Sequence, residues 1–196
     1  MRLHRSLKTA RRYQHSRPHA GTRAVKRLSL GVVLAVFAAS TAFALTPASA
    51  HAINLTKPEK QMLALINHVR VKHGLHRLKM VGSLERASRS HSHEMVTRGY
   101  FAHCSSDGES FASRLIRFGY SPSGCTGWAV GEDIAYGSQS SGTVNAIFRA
   151  WMHSPAHRAV IYTKRFRNVG IGRAKGTLRG ISGIVFFTLD CGVRTH

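Results

Sequence analysis

The chain has 196 residues, with 29 Lys and Arg against 8 Asp and Glu, a formal net charge of +21 at pH 7. Apolar residues make up 43% of it, which excludes a disordered basic tail and leaves room for one folded domain with an appendage. Nine of the basic residues and none of the acidic ones fall in residues 1–50, so the remainder carries 20 basic and 8 acidic side chains, a net +12. Nearly half of the charge that would invite a nucleic-acid reading therefore belongs to the N-terminus.

Residues 28–50 are uncharged, with an apolar run from Leu30 to Ala39, Lys26 and Arg27 directly before it, and Ala48-Ser49-Ala50 after it. A basic n-region, an apolar h-region and an A-x-A site are the pattern of an export signal, expected here to be cut after Ala50 with the product released to the outside. The n-region, at 27 residues, is long. A retained membrane anchor is the competing reading, since 23 uncharged residues reach across a bilayer. Gly31, Ser40, Thr41, Thr46 and Pro47 dilute that span. The domain is accordingly taken as residues 51–196.

Thr56-Lys-Pro-Glu59 is a capping box with Pro in the first turn, and Met62, Leu63, Leu65, Ile66 and Val69 follow at helical spacing up to Gly74. A second helix is predicted from Ser83 to Gly99, with Leu84, Ala87, His91 and Met95 on one face. A third runs from about Ser110 to Phe118. Residues 120–142, rich in Gly and Ser, read as mostly loop. Thr143 opens a fourth helix with Val144, Ile147, Phe148 and Trp151 inward, stopped by Ser154-Pro155. The period then changes: 169–172 and 183–190 read as two strands joined by a Gly-rich turn near 176–183. Helices first and strands last indicate an α+β domain, with helices packed on an antiparallel sheet.

Cys104, Cys125 and Cys191 lie after the leader, so an exported chain would hold one disulfide and a spare thiol, in any of three pairings. Cys104–Cys125, closing a loop of roughly 20 residues, is the pairing favoured here, and it would contribute about 3 kcal/mol. The cysteine spacings match no structural zinc motif.

Ten of the thirteen histidines also follow the leader. Three stretches set histidine or acid among Gly, Ser and aromatics: Tyr100-Phe-Ala-His-Cys-Ser-Ser-Asp-Gly108, Gly131-Glu-Asp-Ile-Ala-Tyr-Gly137 and Ala150-Trp-Met-His-Ser-Pro-Ala-His-Arg158. In this order and spacing they resemble the bacterial branch of the CAP superfamily, which takes in cysteine-rich secretory proteins, antigen 5 and plant pathogenesis-related 1 proteins and is also known by its SCP domain. The resemblance runs from Met62 to Asp190 and implies a three-layer αβα sandwich with a cleft lined by two histidines and glutamate. Carried over motif by motif, these are His103, Glu132 and His157. Three positions depart from the family pattern. Trp151-Met-His-Ser154 lacks a second glutamate, Asp133 stands where Asn is usual, and Cys104 where Ser or Thr is common.

Two imidazoles converging on one point can ligate Zn²⁺ or another divalent cation, with the carboxylate as ligand or outer partner, so His103 and His157 are the candidate metal ligands. Without metal the same trio is suited to proton transfer. No nucleophilic serine stands in a suitable setting. His91 reads as a buried, hydrogen-bonded core histidine, and Pro155 argues against a helical metal pair of His153 and His157. The resemblance implies ligand binding, of lipid or sterol, and no general enzymatic activity; a cell-envelope polymer is the partner that the basic segments suggest. A metal-assisted hydrolase of an extracellular or envelope substrate is the alternative. The basic segments at 70–73, 77–79 and 164–167 suit anionic surfaces better than nucleic acid, for which no recognised module is present.

Overall fold

Capping comes first in the chain and already ties two elements together. The computed structural model describes residues 53–196, so the expected leader and its cleavage site lie outside the described residues. Glu59 Oε2 accepts from the Thr56 backbone N–H at 2.8 Å, opening helix α1 (Lys57–Lys72) as the capping box predicts. The same carboxylate takes both arms of Arg89, from the next helix, at 2.9 and 2.6 Å. Strand β1 (Lys79–Met80) leads into α2 (Gly82–Arg98), which Gly99 ends in the left-handed conformation. Helix α3 (Phe111–Arg117) starts where the Ser110 hydroxyl accepts from the Ser113 N–H.

Strand β2 (Gly127–Gly137) follows, then a short 3₁₀ turn (Gln139–Gly142), α4 (Val144–His153) and α5 (Pro155–Ile161). Strands β3 (Asn168–Leu178) and β4 (Ile181–Thr195) complete the chain. The sheet order is β1-β3-β4-β2, antiparallel except for the β1–β3 pair. Helices α1, α4 and α5 cover one face through Met62, Ile66, Ile147, Trp151 and Ile161, which pack on Val169, Ile171, Phe187 and Leu189. On the other face Leu84, Ala87 and Met95 of α2 and Leu115 of α3 pack against Val130, Ile134 and Phe186. The result is the three-layer αβα sandwich. Helix α2 lies so close to β3 that a Cβ at Gly170 or Gly172 would overlap the backbone of Leu84 or Ser88, which is why this strand alternates glycine with Val169 and Ile171.

Three local expectations are corrected. Residues 127–137 form a strand and not a loop, paired with β4 along their whole length from Gly127↔Thr195 to Gly137↔Val185. Their three glycines and two acids hide an alternation whose two faces are both buried. Ser154-Pro155 stops α4 as predicted, but Pro155 is also the first residue of α5, a role its fixed φ suits. The two C-terminal strands are longer than their apolar cores, and the turn between them narrows to Arg179-Gly180.

The disulfide is corrected too: Cys104, Cys125 and Cys191 are all free, being exposed, half-buried and buried respectively. Cys104 follows His103 beside the middle of β2, whereas Cys125 precedes the start of that strand, where its thiol points to the Ser123 carbonyl at 3.7 Å. Gly127 and Glu132 are themselves roughly 17 Å apart at the usual strand rise, while a disulfide holds its Cα atoms within about 7 Å. Cys191 sits under α1 in the core, with its thiol pushed up by burial.

Candidate functional site

Strand β2 is an edge strand, and side chains alternate along it. Val130 and Ile134 join the clusters under α2 and α3, while Ala129 and Ala135 belong to the core under α1, α4 and α5. Glu132 therefore faces α2 and α3, and its neighbour Asp133 faces α5. Both are buried.

On the first face, Glu132 Oε1 accepts from His103 Nδ1 at 2.8 Å, and its Oε2 is paired with Arg114 of α3. A carboxylate only accepts, so His103 carries its proton on Nδ1. Arg114 is buried as well and also donates to the His103 carbonyl at 3.2 Å and to Ser105 Oγ at 3.0 Å, clamping the loop that brings His103 in. Glu94 of α2 fixes the far side of that loop by accepting from Ser106 N–H and Oγ at 2.9 and 2.6 Å. Burial pushes Glu94 up, yet these bonds to Ser106 bring it down to about 2.

Asp190 of β4 lies directly opposite Glu132. Its Oδ2 accepts from Ser88 Oγ at 2.7 Å, while its Oδ1 has no donor among the described residues. Burial raises the Asp190 carboxyl well above its ordinary value, and the adjacent Glu132 carboxylate raises it further. Burial and the facing carboxylate thus both favour the neutral form of Asp190 opposite Glu132. Burial pushes Glu132 up too, but Arg114, the His103 bond and the nearby His91 outweigh it and hold Glu132 below its usual value. His91 is buried as the sequence predicts: its Nε2 lies 2.9 Å from the Ala102 carbonyl, and burial lowers its pKa.

On the second face the arrangement is simpler. Asp133 Oδ1 accepts from His157 Nδ1 at 2.7 Å, and Oδ2 has no partner among the described residues. Burial raises Asp133 to about 6 despite His157. Pro155 separates the two histidines of the third motif: His153 Nδ1 turns to the Arg149 carbonyl while His157 turns to β2.

Of the candidates read from sequence, His103 meets Glu132, and His157 meets Asp133 on the opposite face. Their side chains are 16% and 19% exposed over carboxylates that are almost wholly buried. Among the described residues, no three His, Cys, Asp or Glu side chains converge on a point that could hold a metal ion. Sequence reasoning missed Arg114, Ser88 and Asp190. Arg114 was detectable as a charge set among the apolar positions of a short helix, between Phe111, Leu115 and Phe118. Asp190 was detectable as an acid ending an otherwise apolar strand run.

A family model described as CAP, the cysteine-rich secretory protein family, matches residues 63–191. The uncharacterized protein YkwD of Bacillus subtilis strain 168 is 32% identical over 114 residues, which cover 58% of this chain and 41% of that protein. The uncharacterized membrane protein YlbC of the same strain is 31% identical over 121 residues, covering 60% of this chain and 32% of that protein. The chain thus spans less than half the length of these curated relatives. In fold it matches an outer surface protein from Borrelia burgdorferi at TM-score 0.60 and 21% identity, over 73% of this chain and 97% of that one. It also matches an extracellular, SCP-domain protein from Bacillus anthracis at TM-score 0.52 and 24% identity, over 71% of this chain and 44% of that one.

Proposed function

Because this chain belongs to the CAP family, the cysteine-rich secretory proteins, we propose that it is an exported binding domain. In this reading it captures its ligand with the imidazoles of His103 and His157. One observation supports it above others: each ring is anchored through Nδ1 on a buried carboxylate while keeping part of its surface exposed. That anchoring fixes the tautomer and turns Nε2 away from the strand, so both rings present a defined face. Export rests on the leader pattern at residues 1–50 and on the kinship with an outer surface protein and an extracellular one. No helix among the described residues is long and apolar enough to cross a membrane. Lipid and cell-envelope polymers are the ligand classes to test first.

A divalent metal such as Zn²⁺ fits this donor set in one respect. Imidazoles whose Nδ1 is held by a carboxylate are the arrangement found behind metal-bound histidines. His103 would offer an ion one nitrogen with Glu132 behind it, and on the other face of β2 His157 would offer one with Asp133 behind it. With one imidazole donor on either face the ion would be weakly held, and it would supply an electrophile for an anionic ligand oxygen. A second reading, a hydrolase of an extracellular or envelope substrate, is favoured by one feature: Asp133 titrates at about 6 beside His157, in the range useful for acid–base chemistry.

The test is elemental analysis with zinc titration of the purified protein, His103→Ala and His157→Ala, followed by binding to lipid and envelope polymers and by peptide, ester and cell-wall turnover assays. Ligand binding without turnover, weakened at least tenfold in both variants, is the expected result. Turnover lost in both variants would replace the binding reading with the hydrolase.

A further inference from the structure

All eight side-chain carboxylates of the chain are engaged with groups other than Arg165, Arg167 and Arg194. Glu59 and Glu85 hold Arg89, Glu109 holds Arg117, and Glu94 and Asp107 accept from the loop between α2 and α3. Glu132, Asp133 and Asp190 are buried in the pairs described above. No Asp or Glu occurs between Asp133 and Asp190, a stretch that carries eight Lys and Arg.

At the Gly127–Thr195 end of the β2–β4 ladder, opposite to the Gly137–Val185 end, lies a groove of about 410 Å³. Ala129 and Val193 form part of an apolar floor, Arg165 and Arg167 come from the segment between α5 and β3, and Trp128 and Arg194 complete the lining. No acidic residue lines it. None of its three arginines has a carboxylate partner among the described residues, although the salt bridges elsewhere are numerous. Two of the three are nevertheless held in place. The Arg194 guanidinium sits 4.7 Å from the ring centre of buried Tyr120, on the α2–α3 face of the sheet and so away from the Ala129–Val193 floor, and Arg167 Nη1 donates to the Lys164 and Phe166 carbonyls at 2.6 and 3.0 Å.

From this we infer that the groove bounded by Arg165 and Arg167 over Ala129 and Val193 binds a phosphate-bearing anion, at a site distinct from the histidine pairs. A guanidinium presents its donors in a planar fork that matches two oxygens of one phosphoryl group. Two such groups without a counter-charge, on a surface with an apolar floor, favour a ligand that brings multiple negative oxygens. Pre-set arginines lose less freedom when the anion arrives. The phosphoryl group can come from a lipid headgroup or from a soluble phosphate, and the two sources are separable.

The test titrates the full-length protein with inorganic pyrophosphate by calorimetry. In parallel it measures sedimentation with phosphatidylcholine vesicles carrying or lacking phosphatidylglycerol. Arg165→Gln/Arg167→Gln should weaken the bound probe at least tenfold, and Arg165→Lys/Arg167→Lys should recover only part of that loss because a lysine has no fork. Lys57→Gln/Lys60→Gln removes the same charge from the start of α1, next to a cavity lined by Pro58 and Val185 at the other end of the sheet, and should change binding less than twofold. Pyrophosphate binding marks a soluble phosphate as the source. Binding only to phosphatidylglycerol vesicles, lost in the glutamine pair, marks the headgroup. The inference is overturned by no binding to either probe, by equal affinity for citrate, or by an equal loss in the Lys57/Lys60 control, which would reduce the effect to diffuse charge.

Discussion

Glu132 and Asp133 are neighbours on one strand, both buried and both bonded to a histidine Nδ1, yet they titrate in opposite directions. The difference lies in what else reaches them. Glu132 has a buried arginine, a histidine and a neutral acid arranged around it, so its charge is compensated without water. Asp133 has the imidazole of His157 at one oxygen and no hydrogen bond at the other among the described residues. A single hydrogen bond does not offset full burial of a carboxylate, whereas a cation with two further donors does. The two histidines are therefore unequal: His103 stands over a fixed negative charge, and His157 over one that comes and goes near pH 6.

The sharpest way to break this comparison is to remove the cation from the better-compensated side. Arg114→Met should destabilise the protein by about 3–5 kcal/mol at pH 7, because it strands the Glu132 charge in the interior. It also frees the His103 carbonyl and Ser105 from their clamp. Adding Glu132→Gln to that variant should recover a large part of the loss. Urea unfolding of the single and double variants measures both effects. A single-variant loss under about 1 kcal/mol would mean that Glu132 is not held ionised, and the contrast with Asp133 would vanish.

The sequence made the general plan legible and left the compensation hidden. Caps, helical spacing and the change of period at 169–190 carry the αβα layering, because each is a local signal. Strand β2 was not legible, since glycines and acids that ordinarily mark loops here occupy positions buried on both faces. His103, Glu132 and His157 stand in recognisable motifs, and the structure sets them into two pairs divided by the strand. What sequence could not supply is the third dimension of the charge balance. Arg114 lies on a helix 18 residues before Glu132, and Asp190 on a strand 58 residues beyond it, and no local pattern links them. Only the β2–β4 register, which sets Glu132 against Asp190, makes the acid and the carboxylate a unit.

On the other face the expected effect is smaller and depends on pH. Asp133 rises from 3.8 to about 6 in the folded protein, a change on the order of 3 kcal/mol. The folded state binds this proton more tightly than the unfolded one. The stabilisation is therefore complete below about pH 4 and is lost as the pH climbs through 6. Relative to Asp133→Asn, the wild type should lose up to that amount between pH 4 and pH 7, read from urea unfolding at intervals of one pH unit. The same series in a His157→Gln background should shift the loss to higher pH, because His157 is what pulls Asp133 down. A difference that stays flat with pH would place Asp133 outside the titration and make the two sides alike.

The smallest effect should come from Asp190, although it is buried beside a charge. Its neighbour across the ladder is already ionised, and Asp190 Oδ1 needs a proton of its own before it has anything to offer Glu132. Asparagine supplies that donor permanently, on a side chain of the same shape, and keeps an oxygen for the Ser88 hydroxyl. Below the unfolded carboxyl value of 3.8 both states of the wild type hold the proton, and Asp190→Asn should differ from it by less than about 1 kcal/mol. At neutral pH the unfolded wild type has released the proton that the folded protein must take back, a cost the amide never meets. The variant should then equal or exceed wild-type stability at pH 7, with the gap widening upward from pH 4. An Asp190→Asn protein markedly weaker at pH 7 than at pH 4, relative to wild type, would mean that Asp190 is ionised. Glu132 would then face a second negative charge across the ladder, and its advantage over Asp133 would have to come from Arg114 and His103 alone.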